Sequence, residues 1–219
     1  MNGDIFLPTD GFNIQRSDGT NWSGWGPVFP LTDPTLQSLA WVNQGGASVD
    51  TSRGSLILTA PAASGLNQRI YKRSAPSTPY TLTVGFMLTW GIISGDPQAG
   101  LCFRESGSGK LHTWHIQNDG TVDYAISQKQ NSPTSWSANY STLTGFQRCG
   151  AGRGPIIWLK IQDNGTNRIC SYSADGVNWI DFHSVGRTDF ITADEIGIFA
   201  GSAQTTYPTI MNVVSMKVS

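Results

Sequence analysis

The sequence predicts an all-β chain: a two-sheet antiparallel β-sandwich preceded by an extended N-terminal arm. Three observations carry this. Short runs rich in β-branched and aromatic residues recur along the chain, the clearest with strict two-residue alternation. Turn signals built on Gly, Asn and Asp separate them. No window sustains an apolar 3.6-residue period of helical length. Short strands at regular spacing with turns between them indicate a sandwich or barrel.

Composition agrees. Charged residues make up 13% of the 219 residues, against roughly 25% in ordinary globular chains. Hydroxyl and amide residues and 25 Gly fill the gap, a mix poor for helices and good for strands and tight turns. Eight Trp and nine Phe supply bulk for a core. The net charge of −1 comes without any basic run, which argues against nucleic-acid binding. Cys102, Cys149 and Cys170 are odd in number and lack metal-ligand spacing, so reduced buried thiols are expected rather than a disulfide framework or a zinc site. The opening MNGDIFLPTD has neither the basic nor the apolar region of a signal peptide, and no apolar stretch is long enough to cross a membrane.

Residues 1–35 read as the arm. Pro27, Pro30 and Pro34 exclude a central strand there. Phe6, Phe12, Trp22, Trp25 and Phe29 are too many large apolar residues for a solvated linker, so the arm is expected to pack, either on its own domain or on a neighbouring subunit. Residues 36–219 form the sandwich domain. Its predicted strands begin with 39–43, 55–59 and 68–73, followed by 80–90, where Leu82, Val84, Phe86 and Leu88 share one face. Strands at 99–105 and 111–117 flank the turn SGSGK, and Asn118-Asp119-Gly120 leads into 121–128. The last five are 156–162, 168–173, 177–183, 195–200 and 210–218, with Asn164-Gly165 and Asp175-Gly176 as turns.

The run Trp158-Leu159-Lys160-Ile161, Asn164-Gly165, then Arg168 through Trp179 resembles a signature of concanavalin A-like and laminin-G-like jelly rolls: a W-L-x-I strand, a turn, an x-Y-S strand and D-G-x-x-W. A second resemblance is to tail-fibre and other surface proteins of tailed bacteriophages. Residues 38–45, 72–81, 103–110 and 131–137 carry it, together with Asp18-Gly19-Thr20-Asn21-Trp22 near the expected attachment region. It implies a virion protein on the particle surface, made in the host cytoplasm. Such a protein would be attached to other virion proteins through its arm and homo-oligomeric, with a trimer as the family's habit for fibres. Tail fibre, head fibre and decoration protein stay open.

Jelly rolls of this kind include glycosidases, which need two carboxylates flanking the scissile bond. The two Glu, Glu105 and Glu195, stand apart on different predicted strands, and the Asp residues fall mostly in turns, so no catalytic residue is assigned. His112 and His115 lie on opposite faces of one strand, and His183 is isolated in sequence, so no metal ligand set is assigned either. Calcium through Asp163, Asn164, Asp175 and Asn178 is the one cofactor considered, and turn chemistry explains those residues equally well. Binding is therefore the expected role. Sugar sites on sandwiches use exposed aromatics, because a pyranose has an apolar face. Trp136 and Tyr140, in the polar segment NSPTSWSANYST, are the leading platforms, with Trp114 and Trp90 behind them, while Trp41, Trp158 and Trp179 are assigned to the core. The competing readings are a purely structural adaptor or decoration protein without glycan binding, and a glycoside hydrolase or lyase.

Overall fold

A computed structural model of the chain describes residues 31–91, 95–145, 156–201, 203 and 206–219, together with the backbone of three short strands that precede them. Those strands, β1 (Ile5–Phe6), β2 (Gln15–Ser17) and β3 (Trp22–Gly24), pair antiparallel in a sheet of their own. The arm side chains Phe6, Phe12, Trp22, Trp25 and Phe29 lie outside the described residues.

After a 3-10 turn at Pro34–Leu36, capped by Asp33, fourteen strands follow among the described residues. They are β4 (Ala40–Val42), β5 (Ser48–Asp50), β6 (Leu56–Ala60), β7 (Gln68–Ser74), β8 (Tyr80–Trp90), β9 (Gln98–Arg104) and β10 (Leu111–Asn118), then β11 (Asp123–Ser132), β12 (Ser135–Thr144), β13 (Ile157–Asp163), β14 (Asn167–Ser173), β15 (Ile180–Gly186), β16 (Glu195–Gly201) and β17 (Thr209–Val218). They form two seven-stranded antiparallel sheets, ordered β12-β11-β10-β9-β16-β7-β4 (the first sheet) and β15-β14-β13-β8-β17-β6-β5 (the second). Two meanders, β9 to β12 and β13 to β15, supply one wing of each sheet. Elsewhere the chain crosses between sheets at almost every connection, which is the jelly-roll habit. The hairpin turns hold Gly120, Gly165 and Gly176 at positive φ, as the Asn/Asp-Gly signals require.

The core lies between the sheets. Leu82, Val84 and Phe86 of β8 meet Leu159 and Ile161 of β13, Met211, Val213 and Met216 of β17, and Leu56 and Leu58 of β6, all essentially without solvent exposure. From the first sheet come Leu101, Phe103, Trp114, Ile116, Ile196 and Ile198. A bulge lets β17 keep this face: Val213 pairs with Phe86 and Ser215 with Gly85, so Val214 is skipped and the alternation restarts at Met216. A backbone bond from Met216 N–H to the Thr32 carbonyl and one from Thr32 N–H to the Ser215 hydroxyl tie residue 32 to β17 beyond the reach of β6.

The outer face of the first sheet is also covered. Ile70, Cys102, Leu111 and Phe199 form a second buried apolar cluster there, with Val42 packed against it. The cover comes at least in part from the β11–β12 hairpin. Three strands separate β11 from β7 in the sheet, yet Gln68 N–H donates to the Pro133 carbonyl at the hairpin tip, 2.9 Å away. The hairpin must therefore curl over the face. Three register breaks, between Ser127 and Gln128, Lys129 and Gln130, and Gln130 and Ser132, give it the bend.

Candidate functional site

Under this curled hairpin lies a cleft of about 360 Å³. Its described lining comprises Gln98 and Gln117 from β9 and β10, Ile126, Gln128, Trp136 and Asn139 from the hairpin, and the connecting residues Leu66, Asp96 and Ala203. Strand alternation explains the set. Gln98 and Gln117 are directly paired, so their side chains share the outer face. Gln128 pairs with Asn139 and Gln130 with Trp136, which puts these four on the hairpin's inward-turned side.

Amides run through both walls. Gln68 Nε2 donates to Gln98 Oε1 at 3.1 Å, and Gln98 Nε2 to Gln117 Oε1 at 3.0 Å. Across the cleft, Gln130 Nε2 donates to Gln128 Oε1 at 2.6 Å, and Gln128 Nε2 to Asn139 Oδ1 at 2.9 Å. Trp136 Nε1 donates to the same Asn139 oxygen at 3.3 Å, and this fixes an indole that is 57% exposed at the rim. Asp96 is the one charged residue in the described lining. Burial pushes its carboxyl above the usual range, against the opposing pull of a hydrogen bond from Gln117.

Of the four aromatics expected to form a sugar platform, Trp136 is in the cleft and the others are not. Trp114 is fully buried between the sheets, stacked on Phe182 with ring centroids 4.6 Å apart, its Nε1 donating to the Ser171 carbonyl. Phe182 reaches it because it is the skipped residue of a bulge in β15: Cys170 pairs with His183 and Ser171 with Asp181. Trp90 is partly buried against the main core. Tyr140 is likewise a bulge residue, skipped between Asn139 and Ser141, and it points to the other side of the hairpin from Trp136. Its hydroxyl donates to Asp189, and the Lys129 ammonium sits 4.3 Å from its ring centroid. Trp158, as expected, is buried, with its indole lying against Gly85 and Gly176. Trp179, assigned to the core, is instead half-exposed under the Lys160 ammonium.

His183 is not isolated in space. Its ring lies 4.8 Å from Tyr140 and 6.0 Å from His112, and Ser141 Oγ is 3.0 Å from its Nδ1. His112 Nε2 in turn meets Ser127 Oγ at 2.8 Å and Cys170 Sγ at 3.7 Å. This juxtaposes nucleophile and base types, but His112, Ser127 and Cys170 have no exposed surface through which a substrate could reach them. Burial pushes the Cys170 thiol up to about 12 and holds His112 well below its ordinary value, so neither carries charge at neutral pH. The cluster is a polar tie between the sheets.

The carboxylates considered for catalysis or calcium are engaged elsewhere. Glu195 bridges Lys72 and Arg104. Glu105 accepts from the Thr192 N–H and the Ser108 hydroxyl. Asp163 holds Arg187 and the Gly165 N–H, and Asp175 accepts from Val177 and Asn178 backbone N–H groups. Among the described residues no group of three or more His, Cys, Asp or Glu is placed to hold a metal ion.

The cleft's amides went unassigned in the sequence. The available signal was Gln recurring at alternate positions of neighbouring strands (Gln98, Gln117, Gln128, Gln130), where an ordinary solvated face carries Lys, Glu and Thr.

No protein-family model and no curated protein matches the sequence. Solved structures match the fold. A functionally unknown protein from Saccharomyces cerevisiae aligns with a TM-score of 0.60 at 15% identity, over 83% of this chain and 95% of its own. The exoplasmic/lumenal domain of VIP36, in a Ca2+/Man3GlcNAc-bound form, aligns with a TM-score of 0.54 at 11% identity over 86% of each chain. The GH43 protein BlXynB from Bacillus licheniformis aligns with a TM-score of 0.54 at 16% identity over 98% of this chain, which spans 45% of that protein. With the strand order above, these likenesses show a concanavalin A-like jelly-roll sandwich.

Proposed function

We propose that this chain is a non-catalytic carbohydrate-binding sandwich carried on the surface of a bacteriophage virion. The observation that carries the binding half is the cleft itself: an exposed indole at the mouth and two walls of oriented amides. A pyranose offers an apolar face to stack on Trp136 and a ring of hydroxyls for amide groups to bond. A sandwich of the same fold holds an oligosaccharide in VIP36. The non-catalytic half rests on the single carboxylate, Asp96, in the described lining, where a glycosidase of the usual design needs two. The virion half rests on the resemblance of residues 38–45, 72–81, 103–110 and 131–137 to phage surface proteins, with residues 1–35 as the attachment arm. Particle partners and homo-oligomerisation come with that reading.

The test is retention in gels containing neutral polysaccharides. The wild-type chain is retarded by at least one polymer, and Trp136→Ala loses roughly tenfold or more in affinity while melting at the wild-type temperature, because a side chain this exposed contributes little to the core. Retardation that survives Trp136→Ala overturns the site. Antibody labelling of purified particles checks the location: label on fibres, tail tip or head supports a virion protein, and unlabelled particles refute it.

A further inference from the structure

The amide wall on β7, β9 and β10 has a direction. Gln68 donates to Gln98 and Gln98 to Gln117, and Asp96 lines the same cleft. Gln117 gives its oxygen to Gln98, and Gln98 gives its own to Gln68. Gln98, inside the ladder, spends one N–H and one lone pair along it and keeps one of each for a ligand. A hydroxyl, donor and acceptor at once, matches that mixed offer. No Lys, Arg or His stands among the described lining residues to receive an anion, and the one charge present is negative.

Resting on the carbohydrate reading above, we propose that the cleft selects neutral sugars and rejects acidic ones such as uronates. Asp96, the one charged residue of the described lining, is the residue that sets this specificity, by repelling the anion. Rejection by an unpaired like charge is the usual device where attractive contacts alone discriminate weakly.

The experiment measures retention of the full chain in gels of mannan, mixed-linkage glucan, galactan and polygalacturonate for the wild type, Asp96→Asn and Trp136→Ala. Thermal melting confirms that each variant is folded. The wild type is expected to bind one or more neutral polymers through Trp136 and to ignore polygalacturonate. Asp96→Asn is expected to gain polygalacturonate binding relative to neutral binding, moving the ratio of the two by roughly tenfold. Wild-type binding to polygalacturonate that equals neutral binding and disappears in Trp136→Ala overturns the neutral-sugar inference while leaving a glycan site in place. An unchanged ratio in folded Asp96→Asn overturns the role of Asp96. Binding to none of the four polymers overturns the specificity inference together with the carbohydrate reading beneath it.

Discussion

His115 makes the fold acid-sensitive in a pH window where carboxylates of ordinary or lowered pKa are still ionised. It sits on the covered outer face of the first sheet, fully buried, its ring edge-on to Phe199 with centroids 5.6 Å apart. Burial drives its pKa from 6.5 down to about 4, opposed only by the Gln117 amide. The unfolded chain takes up the proton near the ordinary value while the folded chain resists it. The unfolded state thus binds more protons between the two values, and stability falls as pH drops through that window. With those two values the loss from about pH 7.5 to about pH 5 is about 2 kcal/mol, a sizeable share of the 5–15 kcal/mol typical of a domain. His112 and His183, also lowered by burial, act in the same direction, so the wild-type loss includes theirs. The discriminating quantity is the difference between the wild type and His115→Gln in urea denaturation at the two pH values. The substitution shifts stability by a pH-independent offset and flattens the pH dependence by about 2 kcal/mol. Parallel curves for the two proteins would show that His115 protonates in the folded state without penalty, and the burial argument would fail.

Two further substitutions test the packing. A Cβ at Gly85 would stand 2.9 Å from the Trp158 ring, which Gly176 presses from the adjoining turn, so Gly85→Ala should cost about 1–3 kcal/mol in denaturant unfolding. Glu195→Gln leaves Lys72 and Arg104 facing a neutral amide on a largely buried surface. It should lower stability by about 3 kcal/mol, measured the same way, and leave retention by neutral polysaccharide unchanged in the folded fraction.

The half of the fold that faces the core was legible because burial on one side leaves a period-two record. Leu82, Val84 and Phe86 declare their strand, and the Asp-Gly and Asn-Gly pairs declare hairpin turns farther along the chain. The missed strands lack that record. β5 has three residues, two of them exposed and polar, on a sheet edge. β12 reads as a polar loop because neither of its sides faces the main core: one turns Trp136 and Asn139 to the cleft, the other turns Tyr140 to the Lys129 and Asp189 charges. The segment LHTWHIQ misleads in the opposite way. Its polar residues suggest an exposed face, yet His112, Thr113 and His115 are all buried, because β10 is covered on both sides. Bulges hide further information. Skipped residues re-aim Tyr140 and Phe182, and no alternation in the sequence marks where a skip falls.

The curled hairpin joins these observations into one physical cause. Curling brings β11 and β12 over the outer face, where Ile70, Cys102 and Phe199 would otherwise meet water. The same movement supplies Ile126, Gln128, Trp136 and Asn139 as the second wall of the cleft. The ligand site and part of the apolar burial thus depend on the same three register breaks. Gln68 sits at the junction, donating its backbone N–H to the hairpin tip and its side chain to the opposite amide wall. A sugar seated between the walls bonds both at once, so binding favours the curled arrangement and stabilises the buried outer face with it, by the mass action that any native-state ligand exerts.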